Sequence, residues 1–349
     1  MSENTNTTKR RSAIQIMGSL IVLVKPLLHI MLAAIILGTL GYLCAIFLTI
    51  LAGQVIMHGL LTGVAGMIVP VDNMWRVFTP VKTIITVMIV IAVLRGILHY
   101  VEQYCNHFIA FKLLAIIRHK VFAALRKLCP AKLEGRDKGN MISIITTDIE
   151  LLEVFYAHTI SPIAIATLTS IIMVIFIGRY HWLAGLLALA AYLIVGVAIP
   201  MWNGKRGSQK GMEFRTNFGE LNSFVLDSLR GLDETIQYGQ GEKRREQMSK
   251  QSKNLAGMQE SLSKMEGSQR SFTNMVILLA SFGMLALTIW LYDKGAMGFE
   301  GILTCTIAMM GSFGPVVALS SLSNNLNQTL ASGDGIRSEE RRVGKECRS

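Results

Sequence analysis

The chain has 349 residues, of which 51% are hydrophobic and only 16% charged, with a formal net charge of +11 and a mean hydropathy of +0.45. A soluble domain carries about 25% charged residues; here the apolar residues gather in long charge-free blocks instead of periodic core patterns. These figures exclude a disordered chain, a disulfide scaffold and an ordinary cytosolic enzyme, and indicate a multispanning, all-helical membrane protein with its charges in a few loops.

A helix needs roughly 20 apolar residues to cross a bilayer core about 30 Å thick. Residues 1–24 form a basic N-terminal segment, and the first apolar block lies in Leu27–Ile56. The second runs from about Thr83 to Cys105 and is interrupted by Arg95. The third lies between Ile160 and Gly178 and the fourth between Leu183 and Trp202, separated by the short hairpin 179–182. The fifth covers about Ser271–Leu291 and the sixth about Gly301–Leu322. Six spans place both termini on one side.

Lys and Arg assign that side. The stretches up to Lys25, 106–159 and 203–270 hold 24 of them, while the opposite loops hold Arg76, Arg179 and Lys294. By the positive-inside rule both termini and both long stretches are cytoplasmic, in a plasma membrane. No pair of cysteines faces outward and no zinc spacing occurs, so neither a disulfide nor a metal site is expected. Nothing reads as a nucleic-acid footprint.

The two long inner stretches continue the spans as helices. After His107, apolar residues at Phe108, Phe111, Ile117, Val121, Phe122 and Leu125 recur at helical spacing between basic ones. One helix from Thr83 to Leu128 would reach about 70 Å. Cys129-Pro130 ends it, Gly135 and Gly139 mark a turn, and a helix should follow from about Asn140. The second stretch repeats the plan. Leu221, Phe224, Val225 and Leu229 form an apolar stripe, Gly231 precedes a short segment to Tyr238, and Gly239 and Gly241 form a turn before a polar helix leads up to the fifth span. Pro315, after Gly311 and Gly314, marks a kink in the sixth. Asn324, Asn325, Asn327 and Gln328 close that span, either at a cavity mouth or as a polar helix end.

These residues resemble the transmembrane domain of type I, exporter-fold ABC transporters, over about residues 20–335. KGNMISIITTDIELLEVF and SLRGLDETIQYGQGEKRRE stand where that family has two coupling helices docking on ATPase domains. The resemblance assigns coupling to Asn140, Ile144, Thr147 and Asp148 at the first tip, and to Gly231, Leu232, Tyr238 and Gly239 at the second. It implies partnership with ATPase domains and a second transmembrane subunit, as a homodimer or heterodimer within membrane lipid. Within the family, RGILHYVEQYCNHFIAFKLL resembles the subunits that export thiol reductants for cytochrome bd assembly, with His99 and Gln103 where arginine is usual. That subgroup implies a thiol, amino-acid-type or haem-linked solute, and His107 as a haem ligand.

Arg95, His99 and Glu102 fall on one helical face near Tyr100. An ionisable group halfway along a span faces protein or water. The stripe reads either as a cavity wall for a zwitterionic or carboxylate-bearing solute, or as a charge network that fixes helix packing. The reading is a permease, residues 25–330, for a small solute leaving the cytoplasm. An ion-coupled secondary transporter, or a six-span sensor or docking protein, is the alternative.

No GxxxxGK[ST] loop occurs, so no ATP hydrolysis is expected of these residues; ATP and Mg²⁺ would bind a domain beyond them. Residues 331–336 read as the start of a linker to it. RSEERRVGKECRS, 337–349, resembles the conceptual translation of a short-read sequencing adapter, and the chain is expected to be a truncated piece of a longer protein.

Overall fold

A computed structural model describes residues 27–63, 81–128 and 160–319. Among the described residues the fold is all-α. Helices α1 (Leu28–Gly63) and α2 (Val81–Leu128) are followed by α3 (Ser161–Gly178) and α4 (Trp182–Leu193). A π-helical turn, Ile194–Ala198, joins α4 to α5 (Ile199–Arg230). Next come α6 (Leu232–Gln237), α7 (Gly241–Asp293) and α8 (Phe299–Ser312). A break at Phe313 follows, and residues 314–319 resume the helix.

Six of these helical runs are long and apolar enough to cross a membrane, each overlapping one block expected from the sequence. Three run far beyond that need. Helix α2 has 48 residues and α7 has 53, about 70 and 80 Å. The run from Trp182 to Arg230 is of similar length, so the long extensions are real and leave the bundle at one end. The break at Phe313 puts the kink of the sixth span two residues before Pro315. The π turn in the fourth span was not foreseen.

At the other end the connections are tight. His181 is extended, and its Nδ1 accepts from the Leu183 amide at 3.2 Å, capping α4. Gly178 and Gly185 let α3 and α4 touch through their backbones: a Cβ at Gly185 would lie 2.8 Å from Gly178 Cα. Gly295, at φ 69°, turns the chain from α7 towards α8.

The core lies in the half of the bundle near these tight turns. Ile46 and Ile50 of α1, Met173 and Ile177 of α3, Tyr192, Met284 and Leu291 of α7, and Met309 of α8 are buried there. Phe47 and Phe176 meet edge to face at 5.2 Å. Small residues such as Ala188 and Ala308, both fully buried, let the helices close up, which in lipid supplies much of the attraction. Helices α1 and α8 run against each other through Gln54, whose Nε2 donates to Thr304 Oγ1 at 2.7 Å, and through Gly53 beneath Ile307.

Candidate functional site

The second tip forms as its sequence suggested. Helix α5 stops at Gly231, whose carbonyl accepts from Thr235 Oγ1 at 2.7 Å, and Gly239 at φ 63° ends α6 and allows the turn into α7. Arg244 stacks over Phe224 at 5.1 Å, and Trp202 meets Phe272 at 5.9 Å, so α5 and α7 are tied at both ends of their shared length. Leu232 thus opens a six-residue helix across the end of two long ones, with Gly231 and Tyr238 as its caps and Gly239 just beyond. Leu232, Ile236 and Tyr238 are exposed, Tyr238 at 72%. Asn140, Ile144, Thr147 and Asp148 lie outside the described residues, as do Asn324, Asn325, Asn327 and Gln328.

The stripe on α2 is divided by the structure. Glu102 is 3% exposed. Its Oε1 accepts from Asn106 Nδ2 at 2.7 Å, and its Oε2 accepts from Gln103 Nε2 at 3.1 Å, with His99 Nδ1 at 3.2 Å. All three partners sit on its own helix at spacings of one, three and four residues. Gly38 of α1 makes room for it: a Cβ there would lie 3.0 Å from Glu102 Cγ and press into Ile165 of α3. A carboxylate inside a seam of three helices is tolerable only with such donors. Gln103 was noted only as standing where arginine is usual, and Asn106 was not singled out in the sequence, although it stands at the i+4 spacing where a side-chain amide reaches a carboxylate.

Arg95 and His99 share the helical side of Glu102 yet are exposed, as is every residue from Ala92 to Ile97. Nothing lies within 4 Å of a Cβ placed on Gly96. Along this length the described residues leave α2 exposed. Tyr100 falls on another face, five residues and about 140° round from Arg95, and at 72% it too is exposed. It begins a row of exposed rings with Tyr104 and Phe108, which stack at 6.4 Å. His107 is exposed beside this row, its ring stacked on Phe111 at 6.2 Å. A haem needs an apolar slot closed on both faces and a cation near its propionates. The described residues close no slot around so exposed an imidazole, and Arg95 stands three turns away, about 18 Å. They do not fit a haem.

A six-span bundle with long helical extensions at one end and short turns at the other is an architecture that a family model can test. The model described as the ABC transporter transmembrane region matches residues 27–316. The chain belongs to this family. Among curated relatives of this ABC membrane domain is a probable ABC transporter ATP-binding/permease protein of Haemophilus influenzae. It is 41% identical over 332 residues, covering 94% of this chain and 57% of the relative. The glutathione/L-cysteine transport system ATP-binding/permease protein CydD of Bacillus subtilis is 26% identical over 167 residues, covering 47% of this chain and 28% of the relative. An ATP-dependent lipid A-core flippase of Shewanella denitrificans is 23% identical over 146 residues, covering 42% and 24%. The ABC membrane chain therefore spans little more than half the length of these relatives at most.

Proposed function

We propose that this chain is the membrane-spanning part of an ATP-driven exporter of a small solute. The observation that carries the reading is the second tip, where three exposed apolar side chains, Leu232, Ile236 and Tyr238, ride on a short helix held across two long ones. Such a knob is costly in water and fits a docking groove on an ATPase domain. The extension end then faces the cytoplasm, in keeping with its surplus of Lys and Arg. The first tip, with Asn140, Ile144, Thr147 and Asp148, docks in the same way.

The uncovered Arg95 gives the second support. In mid-bilayer an arginine meets protein or water and not lipid, so the bare side of α2 faces a second transmembrane subunit across a water-filled cavity. Arg95 and His99 are the groups offered to the solute, Tyr100 standing on another face of the helix, and Glu102 holds His99 from behind. An exposed cation beside an imidazole suits a carboxylate-bearing solute, and the similarity to CydD, a glutathione/L-cysteine transport protein, makes those two the first to try.

The experiment uses the full-length protein in liposomes. Tyr238→Ala with Ile236→Ala should leave basal ATP hydrolysis in place and remove its stimulation by solute. Arg95→Ala should weaken stimulation by glutathione or L-cysteine more than basal hydrolysis. Equal loss of both activities would assign Arg95 to packing alone. Stimulation by neither compound would reject the thiol class while leaving the exporter reading to the tip variant.

A further inference from the structure

The fourth and sixth spans share an irregularity that the transport reading does not use. In each, a proline stands four residues after a glycine: Gly196 and Pro200 in one, Gly311 and Pro315 in the other. Proline has no N–H, so each glycine carbonyl loses the donor that an α-helix would supply. The two helices answer differently. The fourth span widens into the π turn, with the Ile199 amide reaching back five residues to the Ile194 carbonyl. The sixth breaks at Phe313 and restarts at once, Val317 N donating to Phe313 O at 2.8 Å.

The two faults lie side by side. A Cβ on Gly196 would stand 3.0 Å from Val316 Cγ1. The rings of Tyr192 and Phe313 meet at 5.4 Å and 66°. The hydroxyl of Tyr192 bonds Ser312 Oγ, just above the π segment on one helix and at the edge of the break on the other. Ser312 gives its only proton to the Met309 carbonyl at 3.0 Å, so Tyr192 is the donor of the pair. All three side chains are buried: Tyr192 5%, Ser312 2% and Phe313 3% exposed. Counted from Trp182 and Phe299, the pair sits roughly 15–20 Å below the tight-turn end, near the middle of a bilayer.

We propose that these two faults form one paired hinge, at which the part of span four that runs on into α5 swings against the sixth span, and that the Tyr192–Ser312 hydrogen bond latches it in the conformation described. A helix with its full i→i−4 ladder resists bending; one that has already lost a bond at a wide turn bends there at little further cost. Below the π turn, α5 runs unbroken to Arg230, so a small rotation at Gly196 becomes a large displacement at the tip. Placing both faults at one depth sets the bend of the fourth span against the one place where the sixth has also lost its regular ladder. The latch is specific because each hydroxyl has one partner across the seam and no water need enter.

The proposal rests on the transport reading only in naming nucleotide as the force that opens the hinge. The test uses the full-length protein in nanodiscs, its native cysteines replaced, with spin labels at Leu28 and Glu220, both exposed at the extension end. ATP with vanadate should shift the label distance in the unaltered protein. Pro200→Ala with Pro315→Ala should restore both ladders and cut that shift to about half or less. A full-sized shift would overturn the hinge. Tyr192→Phe needs no nucleotide and removes only the latch: the apo distance distribution should broaden towards the nucleotide-bound one, and an unchanged distribution would overturn the latch. If nucleotide moves nothing in the unaltered protein, the transport reading fails, and latch and hinge are read without it: Tyr192→Phe should broaden the apo distribution, Pro200→Ala with Pro315→Ala in that background should narrow it again, and no change at either step overturns the latch or the hinge respectively.

Discussion

Spans two and six are both apolar enough to cross a membrane, yet they live in different surroundings. Of the most apolar stretch of the sixth, 50% is buried; of the second, 6%. Met309, Ala308 and Cys305 of the sixth have no exposed surface, while Ile89 and Val93 of the second are 60% exposed. Hydropathy tells only that a helix enters the membrane. What covers it there depends on what else it carries. The sixth span carries small residues and a broken backbone that other helices fill. The second carries Arg95 in its most open stretch, a group that lipid cannot satisfy. Its bareness is therefore what the proposed second subunit would cover.

Substitutions should separate the two spans. The largest effect belongs to Met309→Ala, which opens a cavity in the packed half and should lower the unfolding free energy by about 2–5 kcal/mol, read by chemical unfolding in detergent micelles. Ser312→Ala should cost about 1–3 kcal/mol, because the buried Tyr192 hydroxyl is left without an acceptor; Tyr192→Phe should cost less, since Ser312 keeps its bond to Met309. Val93→Ala should change monomer stability by less than about 0.5 kcal/mol but weaken pairing of full-length subunits, read by crosslinking across α2. A Val93→Ala penalty as large as that of Met309→Ala would mean that the second span is covered within its own chain, and the contrast would collapse.

Much of this was legible from the residues. The six blocks, the short hairpin at 179–182, the unbroken helix from Thr83 to Leu128 and the turn around Gly239 all follow from hydropathy, charge and glycine placement. The candidate site was legible only in part. Arg95, His99 and Glu102 share a side because helical spacing is arithmetic, but burial is not. Glu102 is enclosed because Gly38, more than sixty positions earlier, leaves space for it. Tyr100 is close to Arg95 in sequence and far round the helix, a difference that counting by 100° per residue already contains. The π turn escaped because Ile194–Ala198 is as apolar as its flanks; Pro200 was its one signal, visible beforehand but ambiguous, since proline in a span bends the helix in several ways.

The contact between Gly178 and Gly185 has a mechanical consequence. Backbone rests on backbone there, with no side chain able to yield. Spans three and four thus form a single stiff staple at the tight-turn end. A staple cannot absorb motion; it passes on whatever force reaches it. Any bending in the fourth span must be taken up below that clasp, and the first irregular turn met on the way down is the one at Gly196. Replacing Gly185 with alanine would prise the staple apart, and a bend now confined to one place would spread along the whole span.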